Sequence, residues 1–318
     1  MNACPSVLCP VDFSDGSAGA LRYAAAIAGH LSVPLVVLTV EDPLLTEATD
    51  VGTGVLWSRG ECEAEMQSFA ARTFGAESPV LARLEYEVAV GTPATETLRV
   101  ARERSCMLIV MNAHGLAGSR KLFFGSTTER VLRETACPVL VTPPLDPGEM
   151  RLDDARRVLR RIVVPVDLTP ASLPQAQVAA RLAETLGLPL ILVHVVEPLK
   201  SRLAARLHLE GVEADRRAVA EDGLAELVTA LPQGLQIEGL VVYGDPSEEL
   251  AKVARDRHAG LLIVGLHASP VLGPRMGSVT YRLLCLSHAL VLALPPTAVA
   301  PLSAELPLLA AASGSLAR

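Results

Sequence analysis

Two aspartates close apolar runs of the same build, Val7-Leu8-Cys9-Pro10-Val11-Asp12 and Ile162-Val163-Val164-Pro165-Val166-Asp167. A carboxylate at the end of a buried strand can accept from a ligand hydroxyl or support the turn that follows, and the residues alone leave both roles open. A further run, Cys106 to Met111, empties into Asn112-Ala113-His114-Gly115-Leu116-Ala117-Gly118-Ser119-Arg120-Lys121-Leu122-Phe123-Phe124-Gly125-Ser126, with helical sequence beyond. A glycine-rich loop feeding a helix N-terminus offers backbone N–H donors and the positive end of a dipole, which suits a phosphate. One such dipole supplies ~0.3–1 kcal/mol at an exposed site. A micromolar ligand needs roughly 8 kcal/mol, so contacts to a base and a sugar must supply the remainder. Arg120 and Lys121 could reach a phosphate or form a solvated face. His114 and His267 have no acidic or nucleophilic partner that the sequence names.

Other chemistries fail on their spacing. There is no GxxxxGK[ST], no GxSxG and no HExxH, and Gly52-Thr53-Gly54 is followed by Trp57 where a dinucleotide fingerprint needs glycine. The six cysteines, at 4, 9, 62, 106, 137 and 285, include no CxxC and read as reduced, mostly buried thiols, with Cys137 and Cys285 in the core. A net charge of −7 argues against a nucleic-acid or anionic-membrane binder, and 3% aromatics argue against base-stacking platforms. No catalytic residue is assigned, and no metal site is expected from the protein alone.

These residues need elements to hold them, and the chain supplies the elements twice. Leu35 to Val40 matches Leu190 to Val196, Val90-Gly91-Thr92-Pro93 matches Tyr243-Gly244-Asp245-Pro246, and Cys106 to Met111 matches Leu261 to Gly265. Gly125-Ser126 matches Gly277-Ser278, and Cys137 to Val141 matches Ala289 to Ala293; the offset stays between 152 and 155 residues. Between the runs, apolar residues such as Leu21, Ala24, Ala28 and Leu31 recur at helical spacing. Thr169 is expected as an N-cap with Pro170 in the first helical position and Gly187 closing that helix. Asp245 with Glu248, and Ser126 with Glu129, read as capping boxes. Continuous apolar strands alternating with helices specify an α/β fold, here two tandem doubly wound units, each a parallel sheet with helices on both faces. In such sheets ligands sit beyond the carboxyl ends of the strands, where strand order reverses.

The strand ending in aspartate, the Gly-x2-Gly-x9-Gly-Ser/Thr type of loop and the last strand Cys137-Pro138-Val139-Leu140-Val141 together resemble the universal stress proteins in their tandem form. The resemblance covers about residues 5–144 and 160–296. It implies a five-stranded parallel sheet in each unit, of the adenine-nucleotide-hydrolase-like or Rossmann-like kind, and a stress-response regulator rather than an enzyme. It also implies ATP, or a related adenine nucleotide with Mg2+, as ligand. The sugar contact falls on Asp12 and Asp167, and the backbone contact to adenine on Val40 and Val195. The phosphate loop falls on Gly115, Gly125 and Ser126, with Asn112 where the first glycine is expected. In the second half Gly265, Gly277 and Ser278 match, but Ala268 replaces a glycine and the spacing is one residue shorter. If Ala268 takes a left-handed conformation it costs ~1–2 kcal/mol, so the first half is expected to bind better. Asn112 tolerates that conformation. The alternative is a nucleotide-free dimerisation scaffold of the same family.

The expected domains are residues 1–145 and 160–296, joined by a linker at 146–159 and followed by a tail at 297–318. The N-terminus reads as mature sequence, and the uncharged stretch Leu283 to Ala304 is broken by Pro295, Pro296 and Pro301, so no membrane span is expected. The expected setting is cytoplasmic. The halves are expected to pack as an intrachain pseudo-dimer, with a homodimer as a further expectation.

Overall fold

The computed structural model describes residues 5–41, 59–113, 125–143, 159–198, 210–266, 268–269, 273–274 and 277–296. The chain forms two compact units whose main break falls at residues 153–154.

The first unit runs β1 (Ser6–Pro10), α1 (Asp15–Leu31), β2 (Leu35–Glu41), α2 (Arg59–Phe74), β3 (Leu84–Val90), α3 (Pro93–Glu103), β4 (Cys106–Asn112), α4 (Ser126–Glu134) and β5 (Val139–Thr142). Its strands lie in the order β3-β2-β1-β4-β5 and every pairing is parallel. The order reverses between β1 and β4, which fixes the crevice at their carboxyl ends. Helices α1 and α2 pack together on one face of the sheet, and α3 and α4 on the other. Covered on both sides, the strands are runs of Val, Leu and Ile, with Leu8, Leu38 and Ile109 wholly buried.

The second unit repeats this with β6 (Ile162–Pro165), α5 (Ser172–Leu186), β7 (Leu190–Val196), α6 (Glu210–Thr229), β8 (Ile237–Tyr243), α7 (Pro246–Asp256) and β9 (Leu261–Gly265). A two-residue antiparallel pair, β10 (Ala268–Ser269) with β11 (Gly273–Pro274), follows in the chain, then α8 (Ser278–Leu286) and β12 (Leu290–Leu294). The parallel order is β8-β7-β6-β9-β12. Each unit therefore has the five-stranded parallel sheet that the resemblance implies.

The duplication extends to the backbone. Left-handed or positive φ values recur at matched positions: Phe13 (63°) with Leu168 (60°), Ser32 (54°) with Gly187 (61°), Gly91 (148°) with Gly244 (143°), and Ser105 (51°) with His258 (52°). Ser32 and Gly187 are the C-caps of α1 and α5, each returning its N–H to the last turn. At Ser32 the same turn is made without glycine, so the motif is held by its hydrogen bonds rather than by residue type.

Three expected caps are built differently. Helix α5 begins at Ser172 with Ala171 as N-cap, not at Thr169, because the Thr169 hydroxyl and amide both turn back to Asp167. Gly125, extended at φ −62° and ψ 132°, is the N-cap of α4, so Ser126 is already inside the helix and Glu129 pairs with Arg133 instead of closing a box. At α7 the Asp245 carboxylate does cap, accepting from the amides of Ser247 (3.1 Å) and Glu248 (3.2 Å), but the Glu248 side chain goes to Arg282. Among the described cysteines, Cys9 and Cys62 are buried while Cys106, Cys137 and Cys285 are half-buried as residues, Cys137 with its thiol turned inward onto the Cys106 carbonyl. The α8–β12 pair accounts for the described part of the uncharged C-terminal stretch, and no described helix is long and apolar enough to cross a membrane.

Candidate functional site

The crevice of the first unit is built from the end of β1. Pro10 is the last residue of β1 paired with β2, and the chain then turns at Asp12. The Asp12 Oδ1 accepts from the amide of Ser14 (3.2 Å) and from its hydroxyl (2.5 Å). Ser14 in turn caps α1 by accepting from the Ser17 amide at 3.2 Å. Asp12 thus supports the cap rather than being the cap, and it holds its carboxylate at the carboxyl end of β1. Between them Phe13 takes the left-handed conformation and seats its ring edge-on against Phe69 of α2.

Val40 is half-buried in β2, paired with Ala89 of β3. It lies two residues past Leu38, the last β2 residue paired with β1, so no strand covers its β1 side. Just below it the Thr39 hydroxyl donates to the Val11 carbonyl at 3.4 Å. Cys62 of α2 donates to the carboxylate of Glu41, the last residue of β2; burial and then this carboxylate push the Cys62 thiol up to about 12.

On the other side of the reversal, Asn112 ends β4 opposite Thr142 of β5. Its carbonyl accepts from the Thr128 hydroxyl at 2.9 Å, which ties the first turn of α4 to β4. The Gly125 amide donates to the Ala113 carbonyl at 2.9 Å, so the two ends of the loop are held together by backbone alone. That bond engages one amide assigned to phosphate. The first-turn amides of α4, from Ser126 onward, lack intrahelical partners by construction, and Ser126 is exposed. Gly115 lies outside the described residues, with His114, Arg120 and Lys121; so do His267, Arg275, Trp57 and the segments 144–158 and 297–318.

Asn112 has no left-handed backbone, contrary to the reason given for its tolerance. It matters through its side chain. A Cβ on Gly16, in the first turn of α1, would overlap the Asn112 Nδ2 and lie 2.7 Å from its Cγ. Gly16 is glycine because the carboxamide lies in that place. Neither residue alone signals this, since they meet only through the fold.

The second unit copies the plan with changes. The Asp167 Oδ1 accepts from the Thr169 amide (3.0 Å), the Thr169 hydroxyl (2.7 Å) and the Ser172 hydroxyl (2.8 Å). Val195 pairs with Val242 and stands two residues past Val193, the last β7 residue paired with β6, as Val40 does in β2. His194 replaces Thr39: its Nδ1 bonds the Val166 carbonyl at 2.9 Å, so it braces the strand end. Gly265 ends β9 opposite Leu294, and Gly277 caps α8, which begins at Ser278. Ala268 stands in the extended strand β10, so the left-handed cost expected of it does not arise. A residue that sequence reasoning missed is Gln175 of α5. Buried, it donates from Nε2 to the carbonyls of Pro165 and Ile263, both at 3.1 Å, bridging β6 and β9 where they part. A polar residue on the inner face of an apolar helix was the available signal.

Two parallel sheets of this kind define a doubly wound α/β protein with a crevice at each reversal of strand order. The sequence model described as the universal stress protein family matches residues 5–143 and again 159–295, and the chain belongs to that family as a tandem member. It is 30% identical over 145 residues to the universal stress protein YxiE of Bacillus subtilis, a match spanning 42% of this chain and 96% of YxiE. In fold it is similar to a universal stress protein from Archaeoglobus fulgidus, with a TM-score of 0.59, 18% identity, and coverage of 93% of this chain and 99% of that one. It is likewise similar to the protein PA1789 of Pseudomonas aeruginosa, with a TM-score of 0.61, 17% identity and 98% coverage of both chains.

Proposed function

We propose that the chain is a regulatory module that binds ATP or a related adenine nucleotide, mainly in its first unit, and that it is not an enzyme. The observation that carries this reading is the gathering of an acceptor carboxylate, an uncovered strand edge and a helix N-terminus at the carboxyl ends of β1, β2 and β4. Asp12 is suited to accept from a sugar hydroxyl, and the backbone at Val40 to meet the edge of a base. The first turn of α4, with Ser126, faces a phosphate with unpaired donors and a favourable dipole. Mg2+ is carried by the ligand's phosphates in this reading. Asn112, Gly115 and Gly125 complete the first site. Asp167, Val195, Gly265, Gly277 and Ser278 form the weaker second one.

Bound nucleotide acts as a switch only through its difference in affinity for two arrangements of the loop and helix end. The second reading, a nucleotide-free scaffold, is favoured for the second unit by Gln175, whose carboxamide is engaged on the strand ends themselves. Mass spectrometry of the small molecules released when the freshly purified chain is denatured separates the two. Release of an adenine nucleotide supports binding. An empty protein that also takes up no Mg2+-ATP would leave the scaffold reading.

A further inference from the structure

We propose that Cys106 and Cys137 form a peroxide-responsive modification site in the first unit, closing to a disulfide at the end of the sheet opposite the crevice. Ser6 opens β1, Cys106 opens β4 and Cys137 lies two residues before β5, so both thiols stand at the amino ends of the strands. The inference therefore does not depend on the nucleotide reading. The β1–β4 register slips between Ser6 and Val7, which sets Cys106 beside Ser6, and the Cys106 Sγ shares a hydrogen bond with the Ser6 hydroxyl at 3.3 Å. From the neighbouring strand the Cys137 Sγ donates to the carbonyl of Cys106 itself at 3.1 Å. One thiol thus rests on the backbone of the residue that carries the other.

The second unit shows that the fold needs sulfur at neither place. Ser105 and His258 are matched left-handed residues, so Cys106 corresponds to Ala259. The Cys137 amide donates to the Thr135 hydroxyl at 3.0 Å as the Ala289 amide donates to the Ser287 hydroxyl at 3.0 Å, so Cys137 corresponds to Ala289. Packing that accepts a methyl at both places does not account for a thiol at both. The two sulfurs also differ as an attacking and a resolving thiol should. Burial and then the neighbouring Cys106 push Cys137 up to about 12. Burial pushes Cys106 up as well, but there the Ser6 hydrogen bond and then the Arg104 guanidinium oppose it, so Cys106 reacts first. Its thiolate attacks a peroxide oxygen: an S–O bond forms, the O–O bond breaks, and hydroxide leaves to become water with the proton given up by the thiol. The Cys137 sulfur then attacks the sulfenic sulfur; the S–S bond forms, the S–O bond breaks, and water leaves with the Cys137 proton. Two thiols are oxidised and one peroxide is reduced to two waters. The bond joins the start of β4 to the segment between α4 and β5, closing the chain around the loop and helix that lie between them.

Peptide mass spectrometry of the full-length chain, treated with hydrogen peroxide and alkylated without reduction, tests this. The expected result is a cross-linked Cys106–Cys137 peptide pair that dithiothreitol separates. Cys137→Ala is expected to lose the cross-link and leave Cys106 as a sulfenic acid that dimedone traps. Cys106→Ala is expected to leave Cys137 as a free thiol. The double variant copies the second unit at both places and is expected to melt close to the reduced wild type, which separates a lost cross-link from a lost fold. A wild-type chain in which peroxide leaves both thiols free, takes Cys106 to the sulfinic acid without a cross-link, or joins either thiol to a different cysteine overturns the inference. So does a Cys106→Ala chain whose Cys137 is oxidised as fast as in wild type.

Discussion

The ring of Phe13 meets that of Phe69 edge-on, with centroids 5.6 Å apart and planes at 80°. This contact spans the left-handed residue after Asp12 and the middle of α2, so it locks the turn on which Asp12 stands. At the matched place in the second unit the Leu168 side chain lies 3.5 Å from where a Cβ on Gly223 would be. Aromatic against aromatic in one unit thus becomes leucine over glycine in the other, and both fill the same gap. Phe69→Ala is expected to cost about 3–5 kcal/mol, the range for a buried Phe cut to Ala. Chemical denaturation followed by circular dichroism reads this. A loss below about 1 kcal/mol would mean that the ring does not lock the turn.

Glycine substitutions should separate by backbone conformation. Gly91 and Gly244 have positive φ, and an added Cβ would lie 3.1 Å from Glu96 Cγ and 2.8 Å from Glu249 Cγ respectively. Gly29, in α1, has nothing within 4 Å of that position. Gly29→Ala should stabilise by about 0.4–1 kcal/mol, while Gly91→Ala and Gly244→Ala should destabilise by more than that, Gly244→Ala the more of the two. Thermal melts of the three variants give the order directly, and a stabilised Gly244→Ala would contradict it.

Acid should loosen α7 through Asp245. The Ser247 hydroxyl bonded to its carboxylate, then the Glu248 amide and Arg282, hold this carboxyl below the usual carboxylate range. A depressed folded value means the contribution is present above the ordinary Asp value of about 4 and is lost as pH falls through the folded value. Asp245→Asn keeps a capping acceptor but not the charge. Its melting temperature is expected to fall less than that of wild type on acidification below about pH 4. Parallel curves for the two proteins would count against the carboxylate.

Two thiols should be slow. Burial pushes Cys137 up to about 12, and burial with the Glu41 carboxylate does the same to Cys62. At pH 8 the thiolate fraction of either is then on the order of one in ten thousand. Iodoacetamide at that pH, read by peptide mass spectrometry, is expected to leave both unlabelled in the native chain and to label both in urea. Glu41→Gln should speed Cys62 alone. Native labelling as fast as in urea would contradict the assignment.

The duplicated strands were legible because buried parallel strands must be written as apolar runs, and Pro-Val-Asp marks the end of β1 and β6 alike. The helix starts at Thr169 and Ser126 were misread for a local reason. Ser126 followed three residues later by Glu129 matches a box whether or not its backbone is extended, and the extended residue is Gly125; Thr169 before Pro170 matches an N-cap, but its hydroxyl and amide turn back to Asp167. The pairing of Gly16 with Asn112 and the bridge made by Gln175 were not legible. They join residues far apart in the chain, and sequence spacing carries no information on which side of a crevice a carboxamide lies. The backbone freedom expected of Asn112 is not used, since it has no positive φ.

The most direct test is equilibrium dialysis of the full-length chain against Mg2+-ATP, with Asp12→Asn and Asp167→Asn beside wild type. Asparagine keeps an oxygen for the Ser14 and Thr169 turns, so the fold is retained while the charge at the sugar is removed. The account expects wild type to bind, Asp12→Asn to lose most of the tight binding, and Asp167→Asn to keep it. Tight binding that survives Asp12→Asn and disappears in Asp167→Asn would contradict it.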